Sequence, residues 1–190
     1  FALEKTTVKI AILHGPRDLR IEEKPLVTNS LKADEIWVKT EITALKIGTD
    51  RGNYEGAEQV PGAPNYPRPV GDSNLGLVQG VGSGVTRFEI GDQVIVNQFH
   101  QSEYIVKESD QIVKVPNGVH SEDAVFGHLY ALSAHCYRRA NFHPGENVAV
   151  IGLGVLGLGA VSLGLPFGAR VIGLGNSPIR LEMAERMGAH

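Results

Sequence analysis

A short apolar run, Val148-Ala149-Val150-Ile151, leads directly into Gly152-Leu153-Gly154-Val155-Leu156-Gly157. A strand followed at once by glycines in G-x-G-x-x-G spacing narrows the accessible folds sharply. The first glycine permits a tight turn, the second lets a ligand approach the backbone, and the third lets the next helix pack close to the strand. That helix then aims its N-terminal N–H groups at the space before it, which suits a pyrophosphate. Gly145-Glu146-Asn147 starts the strand, and a second candidate strand, Arg170-Val171-Ile172-Gly173-Leu174, follows at βαβ spacing. The spacing predicts a dinucleotide turn, with Gly152, Gly154, Val155, Leu156 and Gly157 at the phosphates. A glycine-rich packing turn is the plainer alternative.

Bulk properties exclude several classes. The chain has 190 residues, a net charge of −3, 42% hydrophobic residues and 23 glycines, as expected of a globular protein with one large or two small domains. The negative balance argues against a nucleic-acid partner. A lone cysteine, Cys136, rules out an internal disulfide framework or a multi-cysteine zinc module and fits a cytoplasmic location. No apolar run reaches membrane-spanning length, and the residues after Phe1 carry no signal-peptide pattern.

The first two-thirds is predicted to be β-rich. Val8–Leu13 and Leu19–Glu23 flank the turn His14-Gly15-Pro16-Arg17-Asp18, and Glu35–Ala44 alternates Ile36, Val38, Thr40 and Ile42 against polar partners. Gly52 to Pro69 holds four prolines and is expected to be an irregular loop. Leu75–Val81, Gln93–Asn97, Glu103–Lys107 and Gln111–Val115 complete a set of short strands that suggests a closed or strongly curved antiparallel barrel. From Ser121 to Ala140 the spacing changes to that of a helix, with Ser121 as N-cap and Val125, Leu129, Leu132 and Cys136 on its buried stripe. A last helix from Ser177 to Met187 places Ile179, Met183 and Met187 on one face, and Pro166 is expected to end the helix after the glycine turn. A doubly wound sheet usually needs about six strands. Only two precede His190, so the layout is that of a fragment, or of a protein whose missing strands come from elsewhere.

The order of parts resembles the medium-chain dehydrogenase/reductase superfamily. The resemblance rests on Val81 to Val94 (VGSGVTRFEIGDQV), Val115-Pro116-Asn117-Gly118-Val119, Pro144-Gly145-Glu146, the glycine turn, Gly168-Ala169-Arg170 and Gly188-Ala189. It implies an all-β GroES-like barrel over residues 1–143, including a linking helix. An α/β domain over 144–190 would be the first part of a Rossmann doubly wound parallel sheet, truncated. It also implies substrate and nicotinamide between the two, and dimers or tetramers of the full-length protein.

The family's metal site does not carry over intact. Its thiolate position holds Ile47 in Ile47-Gly48-Thr49-Asp50, its Gly-His-Glu motif is Gly71-Asp72-Ser73, and its third ligand falls at His128. A catalytic zinc takes three protein ligands and an open position. Asp72 and His128 are two candidates, so zinc-independent chemistry is expected. The four-cysteine lobe is also missing where Asn97-Gln98-Phe99-His100-Gln101 connects directly. Thr49 matches the hydroxyl that relays the alcohol proton in zinc members; without a metal it needs help from Asp72, His128 or a ribose hydroxyl. A helix-start cap is the plain alternative for Thr49, and a satisfied, partly buried histidine for His128. Lys46 and Tyr54 are neighbours that reach the same region. His100, His120 and His143 are expected in solvated loops.

One position bears on the cofactor. An NAD site ends its second strand with a carboxylate about 20 residues past the turn. Here that place holds Gly175-Asn176-Ser177, with Arg180 nearby, which favours NADP over NAD. The expected protein is an NAD(P)-dependent alcohol/ketone oxidoreductase acting on a small molecule. Quinone or enone reduction, which needs only hydrogen-bond donors at the oxygen, is one alternative. A non-catalytic nucleotide-binding fragment is the other.

Overall fold

Alternating apolar residues in the first 126 positions build two antiparallel sheets. The computed structural model describes residues 5–57 and 65–190. Residues 58–64 of the proline-rich stretch, and 1–4 at the start, lie outside the described residues. Two compact units result, Phe1–Phe126 and Gly127–His190.

In the first unit, β1 (Lys5–Gly15) and β2 (Asp18–Val27) form a long hairpin, with β4 (Arg68–Pro69) on the other side of β1. The second sheet runs β7 (Glu103–Lys107), β3 (Glu35–Thr43), β5 (Asn74–Val81), β6 (Gln93–Val96), β8 (Ile112–Lys114). Every neighbouring pair in it is antiparallel, and the β3–β5 register shifts twice, which curves the sheet. Ile36 and Val38 of β3 point inward with Val78, Val94, Val96 and Val106. Backbone bonds from Ala11 N to His100 O (2.9 Å) and from Ser102 N to Lys9 O (2.8 Å) tie the two sheets together. The result is an antiparallel half-barrel, the strongly curved form of the two expected and not the closed one.

One element extends further than expected. α1 (Ile47–Glu55) occupies the start of the stretch expected to be irregular. Its first turn is closed reciprocally: Lys46 N donates to Asp50 Oδ2 at 2.6 Å, and Asp50 N donates to Lys46 O at 2.9 Å. Thr49 therefore sits inside the first turn and is not the cap, which is Lys46.

The single helix expected over 121–140 is two pieces, α2 (Ser121–Ala124) and α3 (Gly127–Arg139). His120, not Ser121, holds the N-cap position of α2; the Ser121 hydroxyl instead accepts from Gln93 Nε2 at 2.9 Å. In the second unit α3 buries Leu129, Ser133 and Tyr137, while Leu132 and Cys136 of the expected stripe are exposed. Polar anchoring explains the rotation. Ser133 Oγ donates to Leu156 O at 2.8 Å, and Tyr137 Oη donates to Ala160 O at 2.7 Å. The break after residue 126 assigns α3 to the second unit, whereas the sequence division fell at 143/144.

β9 (Asn147–Ile151) and β10 (Arg170–Leu174) pair in parallel, joined through α4 (Val155–Gly164), which ends before Pro166 as expected. α5 (Pro178–Arg186) follows with Ser177 at its N-cap position. It buries Ala184, with Leu181 and Met187 packed alongside, while Ile179 and Met183 are exposed. Among the described residues no helix is long and apolar enough to cross a membrane.

Candidate functional site

Two sets of residues carry chemistry, one in each unit. In the second unit β9 delivers the chain to the glycine turn, and α4 begins at Val155 with Gly154 as its N-cap. Gly152 has φ +91, a left-handed value that strongly favours glycine. A side-chain carbon on Gly157 would stand 1.9 Å from Gly152 O, so helix and strand approach as closely as they do only because Gly157 carries none. At Gly154 nothing lies within 4 Å of that position, leaving open space before the helix N-terminus. Backbone N–H groups, a positive helix end and room for an anion coincide there. These residues fit a pyrophosphate.

At the end of β10, Gly175 packs against Leu153, Asn176 is exposed, and Ser177 leads α5 without a side-chain cap bond. Arg180 is exposed in the first turn of α5. No carboxylate occupies positions 175–180. A groove of about 710 Å³ also runs along β9, lined by Cys136 and Tyr137 of α3, by Val148 to Gly152, and by Leu156 and Gly157 of the glycine turn. Its lining is largely apolar and includes part of the glycine turn. His128 sits half-buried in the first turn of α3, in this same unit, while Ala131 and His135 are exposed.

Thr49 and Asp72 belong to the first unit. Thr49 is half-buried on α1, and Asp72 follows β4 on the segment entering β5. Asp72 is engaged by Lys46, whose Nζ donates to Asp72 Oδ2; their side chains are only 27% and 16% exposed. Asp50, alongside, is pushed above the usual carboxylate range by burial, against the pull of the Lys46 N–H and the charge of His100; Asp72 adds to the rise. His100 is not the solvated loop residue expected, since neither ring nitrogen is accessible and neither has a hydrogen-bond partner among the described residues. Ser73 is fully buried and donates to Val125 O at 2.6 Å, so it serves the packing of α2.

The donor set at the family's metal positions does not match zinc. Ile47 is an aliphatic side chain, 61% exposed, and one oxygen of Asp72 is already paired with an ammonium. Among the described residues no three His, Cys, Asp or Glu side chains are grouped to hold a metal. Sequence reasoning named Lys46 only as a neighbour and missed His100 and Asp50. The one local signal was the Lys46–Asp50 spacing at a helix start; the partners at 72 and 100 are distant in sequence.

With this geometry in place, comparison with known proteins is specific. Residues 32–135 match the alcohol dehydrogenase GroES-like domain. The chain is 26% identical to sorbitol dehydrogenase of Bacillus subtilis, over 96% of this chain and 60% of that protein. It is 30% identical to L-galactonate-5-dehydrogenase of Escherichia coli, over 93% of this chain and 58% of that one. An alcohol dehydrogenase from Escherichia coli CFT073, solved with NADH, superposes with a TM-score of 0.81 at 23% identity, covering 96% of this chain and 61% of that one. The chain thus spans about three-fifths of the length of the curated relatives it matches.

Proposed function

The chain belongs to the alcohol dehydrogenase GroES-like family of medium-chain dehydrogenases/reductases, and on that premise we propose that it serves a zinc-independent, nicotinamide-dependent oxidoreductase acting on an alcohol or ketone. The observation that carries this is the Gly152–Gly157 turn, open at Gly154 and closed down to glycine at 157. A bound nicotinamide cofactor would exchange the hydride. The backbone of Gly154, Val155 and Leu156 would hold its pyrophosphate, as a helix N-terminus does for anions generally. Asn176, Ser177 and Arg180 support NADP over NAD, because they offer donors and no carboxylate where a 2′-phosphate would lie.

In the same reading Thr49, Asp72 and His128 are assigned to the substrate side. The hydroxyl of Thr49 passes a proton, His128 makes a polar contact or donates, and Asp72 acts through its partner Lys46. Zinc independence is supported by Ile47 and by the engaged Asp72. A small-molecule substrate, a cytoplasmic location and a homo-oligomeric full-length enzyme complete the proposal.

Fluorescence titration of NADPH and NADH, followed by turnover with ketones and enones in the presence of a chelator, tests it. Tighter NADPH binding and chelator-resistant ketone reduction are expected. Turnover of enones alone would move the assignment to quinone or enone reduction. Tight binding with no turnover would reduce the chain to a nucleotide-binding fragment, and loss of activity on chelation would end the zinc-free reading.

A further inference from the structure

Buried charge in the first unit is arranged unusually for a structural ion pair. Lys46 Nζ meets Asp72 Oδ2 with both side chains largely out of water. Lysine is rarely buried without a partner, and a carboxylate and ammonium taken from water need their remaining hydrogen-bonding capacity met. Here that capacity is left over. An ammonium has three donors, and among the described residues one is spent on Asp72. Asp72 Oδ1 is buried with no hydrogen-bond partner among the described residues, and so are both ring nitrogens of His100. His100 is fixed beside this pair, its backbone N donating to Val70 O at 2.8 Å and its ring packing on Gly71, the residue before Asp72. Asp50 closes the cluster from α1 by accepting the Lys46 backbone N–H. Among the described residues these unsatisfied groups, Asp72 Oδ1 and the two His100 ring nitrogens, gather around the Lys46–Asp72 pair.

We propose that the Lys46 ammonium, held in place by Asp72, is the fixed positive charge that meets the substrate oxygen. The inference rests on the oxidoreductase reading above and gives its site an electrophile. A reduced nicotinamide, when bound, would supply the hydride pair to the carbonyl carbon, and the C=O π pair would move onto oxygen. Lys46 donates a hydrogen bond to that oxygen as its negative charge grows, and the proton that completes the alcohol comes from solvent through the Thr49 hydroxyl. Asp72 is a positioning residue in this scheme.

Lys46→Met and Lys46→Arg in the native protein test this by NADPH-dependent ketone reduction. Loss of one oxyanion donor typically lowers kcat by about a hundredfold. Lys46→Met is expected to show that loss with NADPH affinity unchanged, and Lys46→Arg to recover part of it. A folded Lys46→Met protein with wild-type kcat overturns the proposal. A second readout is independent of turnover: the side-chain ammonium signal of Lys46 in 15N-lysine NMR, assigned with Lys46→Arg, followed during titration with acetate as an oxygen-anion probe. A shift of that signal, weakened in Asp72→Asn, supports the assignment, and a signal indifferent to acetate overturns it. Failure to bind NADPH or to reduce any ketone, with the Lys46 signal still responding, would sink the oxidoreductase reading alone.

Discussion

Asn74 shows how one polar residue can organise an apolar interior. It is fully buried at the start of β5, where its Oδ1 accepts from Thr40 Oγ1 and Tyr104 Oη, both at 3.1 Å, while Nδ2 donates to Phe99 O at 3.1 Å. Burial also pushes the Tyr104 phenol well above its ordinary range, so the hydroxyl remains a donor at all physiological pH values. Asn74→Ala would strand the Tyr104 hydroxyl and the Phe99 carbonyl together, at a cost of about 3 kcal/mol. Urea denaturation is the measurement, with a lower midpoint and an unchanged slope expected. Gly157 is decisive for a different reason. Gly157→Ala places a carbon 1.9 Å from Gly152 O and must move helix or strand. We expect a loss of about 1–3 kcal/mol from overpacking together with weakened NADPH binding by fluorescence. Unaltered binding would count against the turn as the phosphate site.

Elements are joined by a few polar contacts whose strength depends on conditions. The turn before β6 is closed by Asp92, a buried carboxylate accepting from Lys114 Nζ of β8 at 2.5 Å and from Glu89 N at 3.0 Å. Burial alone would raise its pKa, but the Lys114 and Glu89 hydrogen bonds outweigh that and hold it below the usual carboxylate value. A carboxylate depressed in the fold stabilises it above its unfolded pKa, about 3.9, and loses that contribution as pH falls through the lower folded value. Urea midpoints for wild type and Asp92→Asn should therefore differ at pH 7 and converge toward pH 3; a constant gap would contradict this. In the second unit α3 meets α4 through Ser133, whose Oγ lies 2.8 Å from where a side-chain carbon on Gly159 would stand. Ser133→Ala loses the bond to Leu156 O and should cost about 1 kcal/mol by thermal melting.

At the scale of the whole molecule, cofactor choice is the property most open to measurement. Arg180 is exposed in the first turn of α5, without a carboxylate between positions 175 and 180. Arg180→Ala should weaken NADPH several-fold and leave NADH nearly unchanged, because only the former carries the 2′-phosphate. Equal losses for both cofactors would return Arg180 to the role of a solvated helix residue.

Much of the architecture was legible because it depends on local rules. Two-residue alternation marked β3, short apolar runs marked β5 and β7, and the G-x-G-x-x-G spacing marked the junction of β9 and α4. Helix faces were legible only to within a rotation. The expected stripe of Val125, Leu129, Leu132 and Cys136 gave way to Leu129, Ser133 and Tyr137, since the hydroxyls of Ser133 and Tyr137 found backbone carbonyls on α4. A polar residue that satisfies itself against a neighbouring helix carries no apolar signature.

The glycine turn and the family's motifs were thus determined by sequence alone, because backbone sterics at glycine act over a few residues. The charge centre was not. Lys46, Asp50, Asp72 and His100 are spread over 55 positions and only meet when α1, the segment entering β5, and the connection before β7 are folded together. Electrostatics depends on distance in space and on exclusion of water, and neither exists until the tertiary structure supplies it.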